Sequence, residues 1–165
     1  MLAAVKRDPR LAIRATAFGD RLLYRACQGG HLELARYLLV LGAQINARAS
    51  GGWDALMVAT HKGHLAVVGL LLSNGADPNS RNATHNALSQ AADYDHLEVC
   101  LLLVSHAADL LEIVRNGQTA FDLYGSGLYS KLTRKVKKQR LALLRKAYDE
   151  GPHPNARWVR RWPFV

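Results

Sequence analysis

Gly63-His64-Leu65-Ala66-Val67-Val68-Gly69-Leu70-Leu71-Leu72-Ser73-Asn74-Gly75-Ala76-Asp77-Pro78-Asn79 decides the reading of this chain, because the pattern occurs three times. Upstream it stands as Gly30-His31-Leu32-Glu33-Leu34-Ala35-Arg36-Tyr37-Leu38-Leu39-Val40-Leu41-Gly42-Ala43-Gln44-Ile45-Asn46. Downstream it is worn, as Asp95-His96-Leu97-Glu98-Val99-Cys100-Leu101-Leu102-Leu103-Val104-Ser105-His106-Ala107-Ala108-Asp109. The three histidines lie 33 and then 32 residues apart. A fixed period of this size marks a stack of repeats, each a small unit that buries its apolar face only against its neighbours.

Working outward, the first full unit spans 17–48, with an inner helix over 21–27, a turn at Gln28-Gly29-Gly30 and an outer helix over 31–41 that Gly42 ends. Leu34, Tyr37, Leu38 and Leu41 follow helical spacing and mark the packing face. The second unit, 49–81, puts helices at 53–59 and 65–72, and its loop is one residue shorter, so a deletion falls at a finger tip. The third, 82–113, has helices at 86–92 and 97–104 but carries Asp95 for Gly63, Ala107 for Gly75 and Leu111 for Asn79. A partial fourth, 114–125, opens with Gly117-Gln118-Thr119-Ala120-Phe121-Asp122-Leu123, yet no Gly-His turn follows Tyr124.

Both flanks differ from the repeats. Residues 1–16 read as short capping helices, with Asp8 as N-cap and Pro9 in the first helical position. Lys6, Arg7, Arg10 and Arg14 against the single acid Asp8 also resemble a transit peptide, which leaves organelle import open. Residues 126–150 read as a basic amphipathic capping helix, stopped by Gly151-Pro152. Leu128, Leu132, Val136, Leu143 and Ala147 form its apolar stripe, broadened by Leu141, Leu144 and Tyr148, while Lys131, Arg134, Lys135 and Lys138 share the opposite side. A Trp- and Arg-rich tail, 151–165, ends the sequence.

The net charge of +9 is carried entirely by residues 126–165, which hold eleven basic and two acidic side chains, whereas residues 1–125 are neutral overall. Cys27 and Cys100 sit in helical patterns as free thiols, the usage of an intracellular protein of cytoplasm or nucleus. No apolar run approaches the roughly 20 residues of a membrane span, so a soluble chain without a transmembrane segment is expected.

Over residues 17–125 the chain resembles the ankyrin repeat family, through Gly30-His31 and Gly63-His64, the outer-helix Leu70-Leu71-Leu72, and Gly75-Ala76-Asp77-Pro78-Asn79. The resemblance implies an all-α solenoid of about four helix-turn-helix units with finger loops, and a protein-recognition scaffold without catalytic machinery. The family's threonine-proline-leucine-histidine element is altered, to Arg21-Leu22-Leu23-Tyr24, Asp54-Ala55-Leu56-Met57, Asn86-Ala87-Leu88-Ser89 and Thr119-Ala120-Phe121-Asp122. Most of its hydroxyl-to-histidine bonding is therefore expected to be missing.

By the same resemblance a protein partner meets the finger tips and the inner-helix face, here Gln28, Gly29, Arg48, Trp53, His61, Lys62, Arg81, His85, Asp93, Tyr94 and Gln118. Trp and Arg are enriched at interface hot spots, which makes Trp53 beside Arg48 the first anchor; Trp53 packed along Gly51 and Gly52 is the alternative. In the third finger Leu110, Leu111, Ile113 and Val114 replace polar residues, and either a partner or the C-terminal segment covers them.

The basic segment admits three readings: a solvated helix face, a contact for RNA or an acidic surface, or a second protein anchor. In the tail, Arg157, Trp158, Arg160, Arg161 and Trp162 pair charge with stacking surface. Arg134-Lys135-Val136-Lys137-Lys138 also fits a nuclear import signal. His31, His64 and His96 recur with the period and read as structural residues at helix starts, not as metal ligands. No phosphate-binding loop, nucleophile elbow or carboxylate pair on one face occurs, so neither catalysis nor a cofactor is expected. The expectation is a non-catalytic adaptor, acting as a monomer or within a hetero-complex, with a subunit of a ribonucleoprotein or other acidic assembly as the second reading.

Overall fold

The computed structural model describes residue 7, residues 22–109, residue 119, residue 142, residues 144–147 and residues 149–150. Among them the chain forms three helix-turn-helix units: α1 (Leu22–Gln28) with α2 (Leu32–Val40), α3 (Ala55–Lys62) with α4 (Leu65–Ser73), and α5 (Ala87–Asp93) with α6 (Leu97–Ser105). One 3-10 turn, Ser50–Gly52, lies in the first finger. The expected caps at 1–16, the partial fourth unit, the third-finger apolar residues and the tail lie outside the described residues, apart from Arg7 and Thr119, as does most of the basic helix. No helix among the described residues is long and apolar enough to cross a membrane.

The boundaries correct two expectations. Trp53 and Asn86 stand outside the inner helices, because Asp54 and Asn86 act as N-caps: their side chains accept from the backbone N–H of Met57 and Ser89. The inner helix of the second unit also runs past Ala59 to Lys62, where Gly63 ends it in a left-handed turn.

Repetition in sequence becomes columns in the core. Leu23, Leu56 and Leu88 occupy equivalent buried positions on the inner helices; Ala26, Ala59 and Ala91 let those helices approach closely. Leu38, Leu71 and Leu103 are the matching column on the outer helices, each fully buried. The inner helices contact one another more extensively than the outer ones do. Leu144 is also buried in this core and Ala147 packs against it, so residues of the expected C-terminal apolar stripe lie on the repeats.

Each helix closes with the same chemistry. The backbone N–H of His31, His64 and His96 donates to the carbonyls of Ala26, Ala59 and Ala91 at 2.9, 3.0 and 2.9 Å. Ala43, Ala76 and Ala108 donate likewise to Leu38, Leu71 and Leu103, each at 3.0 Å. These six-to-one closures need one left-handed residue before the donor. Gly30, Gly63, Gly42 and Gly75 fill that place with φ of 70 to 87°, and Asp95 and Ala107 take it in the third unit with φ of 60 and 64°.

Why glycine is replaced in some of these places and not in others follows from the neighbours. The His64 ring donates from Nε2 to the Gln28 carbonyl at 3.2 Å and lies on Gly30, where a Cβ would approach it to 2.8 Å. The His96 ring donates to the His61 carbonyl at 3.2 Å and lies on Gly63, where a Cβ would approach to 2.6 Å. Each glycine makes room for the next unit's histidine. The sequence after Tyr124 supplies no such histidine, so Asp95 is tolerated, aspartate being one of the residues that enter the left-handed region. A Cβ at Gly42 or Gly75 would meet nothing within 4 Å, so the equivalent Ala107 carries only a conformational cost.

Two further bond sets register the units. Asn46 accepts from Asp77 N–H at 3.1 Å and donates to the Gly75 carbonyl; Asn79 accepts from Asp109 N–H at 2.7 Å and donates to the Ala107 carbonyl. The altered threonine-histidine element is replaced locally. Buried Ser80 donates to the second Asp54 oxygen, and Asn86 with Ser89 forms a reciprocal capping box.

Burial, and then the nearby Asp54 charge, push the Cys27 thiol up from 9.0 to about 12. With the folded-state value raised, its contribution to stability is intact below about 9 and is lost as pH climbs toward 12. Cys27 therefore stays unlabelled by a disulfide reagent at pH 8 under native conditions and reacts in urea, as counted by mass spectrometry.

Urea denaturation checks the glycine columns. Gly63→Ala costs roughly 1.5–4 kcal/mol, a net left-handed cost of about 0.5–1 plus about 1–3 of overpacking, whereas Gly75→Ala costs only about 0.5–1. Adding His96→Ala to Gly63→Ala recovers the overpacking part, so the pair is coupled by about 1–3 kcal/mol. Ala107→Gly stabilises by about 0.5–1 kcal/mol, the left-handed cost of about 1–2 being partly offset by about 0.4–1 of unfolded-state freedom.

Candidate functional site

Between the second and third units, on the inner-helix face, Trp53, His61, Asn82, Thr84, His85, Gln90, Asp93 and Tyr94 line a recess of about 240 Å³. Two columns of the repeat build most of it. Trp53 and His85 hold equivalent places at the base of successive fingers, and His61 and Asp93 hold equivalent places in the last turns of α3 and α5. The cross-unit bond from His96 to the His61 carbonyl sets how these two turns face each other.

His61 is the centre of an aromatic array. Its ring stands edge-on to Trp53 at 5.5 Å and to Tyr94 at 4.3 Å, and Tyr94 stacks beside His96 at 6.3 Å. Nδ1 of His61 donates to Gln90 Oε1 at 3.0 Å, which fixes the ring. Trp53 is half-buried against the core with its ring along Gly51, and its remaining surface lines the recess.

On the polar wall, His85 Nε2 lies 3.4 Å from Asp93 Oδ2, and His85 Nδ1 lies 2.8 Å from Thr84 Oγ1. The loop carrying His85 is held by Asn82, whose side-chain oxygen accepts from the backbone N–H of Thr84 and of His85 at 2.9 and 2.8 Å. Asp93 is nearly buried, yet a carboxylate keeps more acceptor positions than this one contact uses.

The structure therefore brings together five of the residues named from the sequence, Trp53, His61, His85, Asp93 and Tyr94. Others stand apart. Arg48 directs its guanidinium at backbone carbonyls, to Gly52 at 2.8 Å and to Arg81, and so ties two fingers together. Gln28 accepts from Arg25 at 3.1 Å while its carbonyl holds His64; Lys62 is exposed at the end of α3; Arg81 pairs its backbone with Asn86. Gln118 lies outside the described residues, as do Lys131, Arg134, Lys135, Lys138, Arg157, Trp158, Arg160, Arg161 and Trp162.

Sequence reasoning missed Asn82, Thr84 and Gln90. For Gln90 a signal existed, since it occupies the place of Val58, a polar residue where the sibling helix has a buried aliphatic one. Among the described residues no cluster of His, Cys, Asp and Glu is arranged to hold a metal ion.

Residues 3–82 match the family model described as ankyrin repeats in three copies. The match begins in the stretch expected to cap the stack and stops where the third helix pair starts. Human BCL-6 corepressor-like protein 1 is 33% identical over 119 residues, 71% of this chain and 7% of that protein. The ankyrin repeat and KH domain-containing protein mask of Drosophila melanogaster is 41% identical over 76 residues, 46% of this chain and 2% of that protein. The E3 ubiquitin-protein ligase XBAT33 of Arabidopsis thaliana is 41% identical over 91 residues, 54% of this chain and 18% of that protein. This chain thus spans less than a fifth of the length of each. With α5 and α6 repeating beyond residue 82 the closures and ladders of the matched units, the chain belongs to the ankyrin repeat family.

Proposed function

We propose that the chain is a non-catalytic adaptor that binds a protein partner through its inner-helix face and finger bases, while the basic segment and tail make a second, electrostatic contact. The observation that carries this reading is the recess, where a half-buried tryptophan and a half-exposed tyrosine from two units remain open beside fixed polar groups. Such a centre, aromatic and rimmed by polar side chains, is the anatomy of an interface hot spot. A recess of this size is below the range of about 300–1,000 Å³ usual for small-molecule sites, which favours a single side chain as its occupant. The matched relatives include a corepressor-like protein and a ubiquitin ligase, each mostly unmatched by this chain. A module that recurs among proteins so differently named is accounted for by binding.

A second reading has one specific support, the concentration of all net charge in residues 126–165. In it the basic segment and tail contact RNA or an acidic protein surface within a larger assembly, and the repeats are the platform.

Pull-down from cell extract, with the full chain and with a chain ending at Asp149, each with and without nuclease, separates the two. The adaptor reading expects a defined protein partner retained by the shortened chain, resistant to nuclease, and weakened about thirtyfold or more by Trp53→Ala, the effect of a hot-spot residue. Loss of partners on nuclease treatment or truncation, with affinity falling steeply from low to physiological salt, overturns it in favour of phosphate contacts.

A further inference from the structure

We infer that the recess between the second and third units receives an arginine side chain of the partner; this rests on the inner-helix face being the partner-binding surface. Three features on that face favour a planar cation. Trp53, His61 and Tyr94 surround one small space with aromatic surface, and aromatic faces attract cations electrostatically. The carboxylate of Asp93 lines the same space and retains acceptor capacity beyond its 3.4 Å contact with His85. His61 and Asp93 stand in the last turns of α3 and α5, where the backbone carries partial negative charge.

Geometry then selects among cations. A guanidinium is flat, stacks on aromatic faces and pairs with a carboxylate through parallel N–H groups, which an ammonium cannot do. Its weaker hydration also lowers the cost of entering a partly buried site. The chain's own Arg48, near Trp53 in sequence, is not available as occupant, since its guanidinium is held by the Gly52 and Arg81 carbonyls. Gln90 and Thr84 add fixed polar groups at the wall, matching the remaining donors of a guanidinium.

The test is a positional-scanning peptide library bound to the full chain and to its Trp53→Ala, Asp93→Asn and Tyr94→Ala variants, with citrulline included as the neutral shape-match for arginine. At one position arginine is expected to be favoured over citrulline by about tenfold, the scale of one desolvated cation–aromatic contact. Asp93→Asn should reduce that preference toward unity while sparing the preferences at other positions. Tyr94→Ala, at an exposed position, should reduce it in part and provides the comparison if circular dichroism shows Asp93→Asn to be unfolded. Peptide binding that depends on Trp53 but does not distinguish arginine from citrulline overturns the inference and leaves the adaptor reading intact. Absence of any peptide binding that depends on Trp53 overturns both.

Discussion

The contact between one unit's histidine and the preceding unit's glycine is the constraint on which the rest of the stack depends. His96 lies on Gly63 and donates to the His61 carbonyl, and His64 does the same with Gly30 and Gln28. One interaction therefore does three things at once: it requires a residue without a side chain at the end of an inner helix, satisfies a carbonyl that the helix end would leave unpaired, and sets the spacing of successive units. The same bond holds the turn that carries the His61 ring. The spacing of the two turns in the recess is thus inherited from the stacking contact, while the bonds of His61 to Gln90 and of Asn82 to its own loop hold the lining side chains.

Loss of the family's threonine-histidine element has not left α3 and α5 uncapped. Asp54 caps α3 and receives the Ser80 hydroxyl from the following finger, while Asn86 and Ser89 cap α5 within the unit. The first solution is charged and joins the helix start to the finger of the same unit, the second neutral and confined to the helix start. The charge reaches the core nearby, where the Asp54 carboxylate contributes to holding the Cys27 thiol protonated. The fingers are registered separately by Asn46 and Asn79, and Leu111 replaces the asparagine that would extend this ladder. In the sequence the asparagine position lapses at the end of the third unit and the histidine position after it, and Leu144 and Ala147 join the core.

On the inner-helix face the units differ where they do not need to agree. Gln28, His61 and Asp93 form one column and Gly29, Lys62 and Tyr94 another, and neither column is buried in hydrophobic packing that would force identity. Variation there costs the stack little, so the face is free to specialise. The second and third units use that freedom to place three aromatic rings and a carboxylate around one space.

The sequence by itself determined the period and the helix pairs, because those depend on local turns and on columns that recur every 32 or 33 residues. It also placed Trp53, His61, His85, Asp93 and Tyr94 on the inner-helix side of the units, since position within a unit decides which way a side chain faces. Only the tertiary structure decided which of them meet. Arg48 and Trp53 are near in sequence, yet one is bound to carbonyls and the other opens onto the recess. Asn82, Thr84 and Gln90 enter the site because the second finger's turn and the spacing of α3 from α5 bring them to it. A repeat specifies the step from one unit to the next, whereas a site formed between units depends on the distances that stacking sets, and those are absent from the order of residues along the chain.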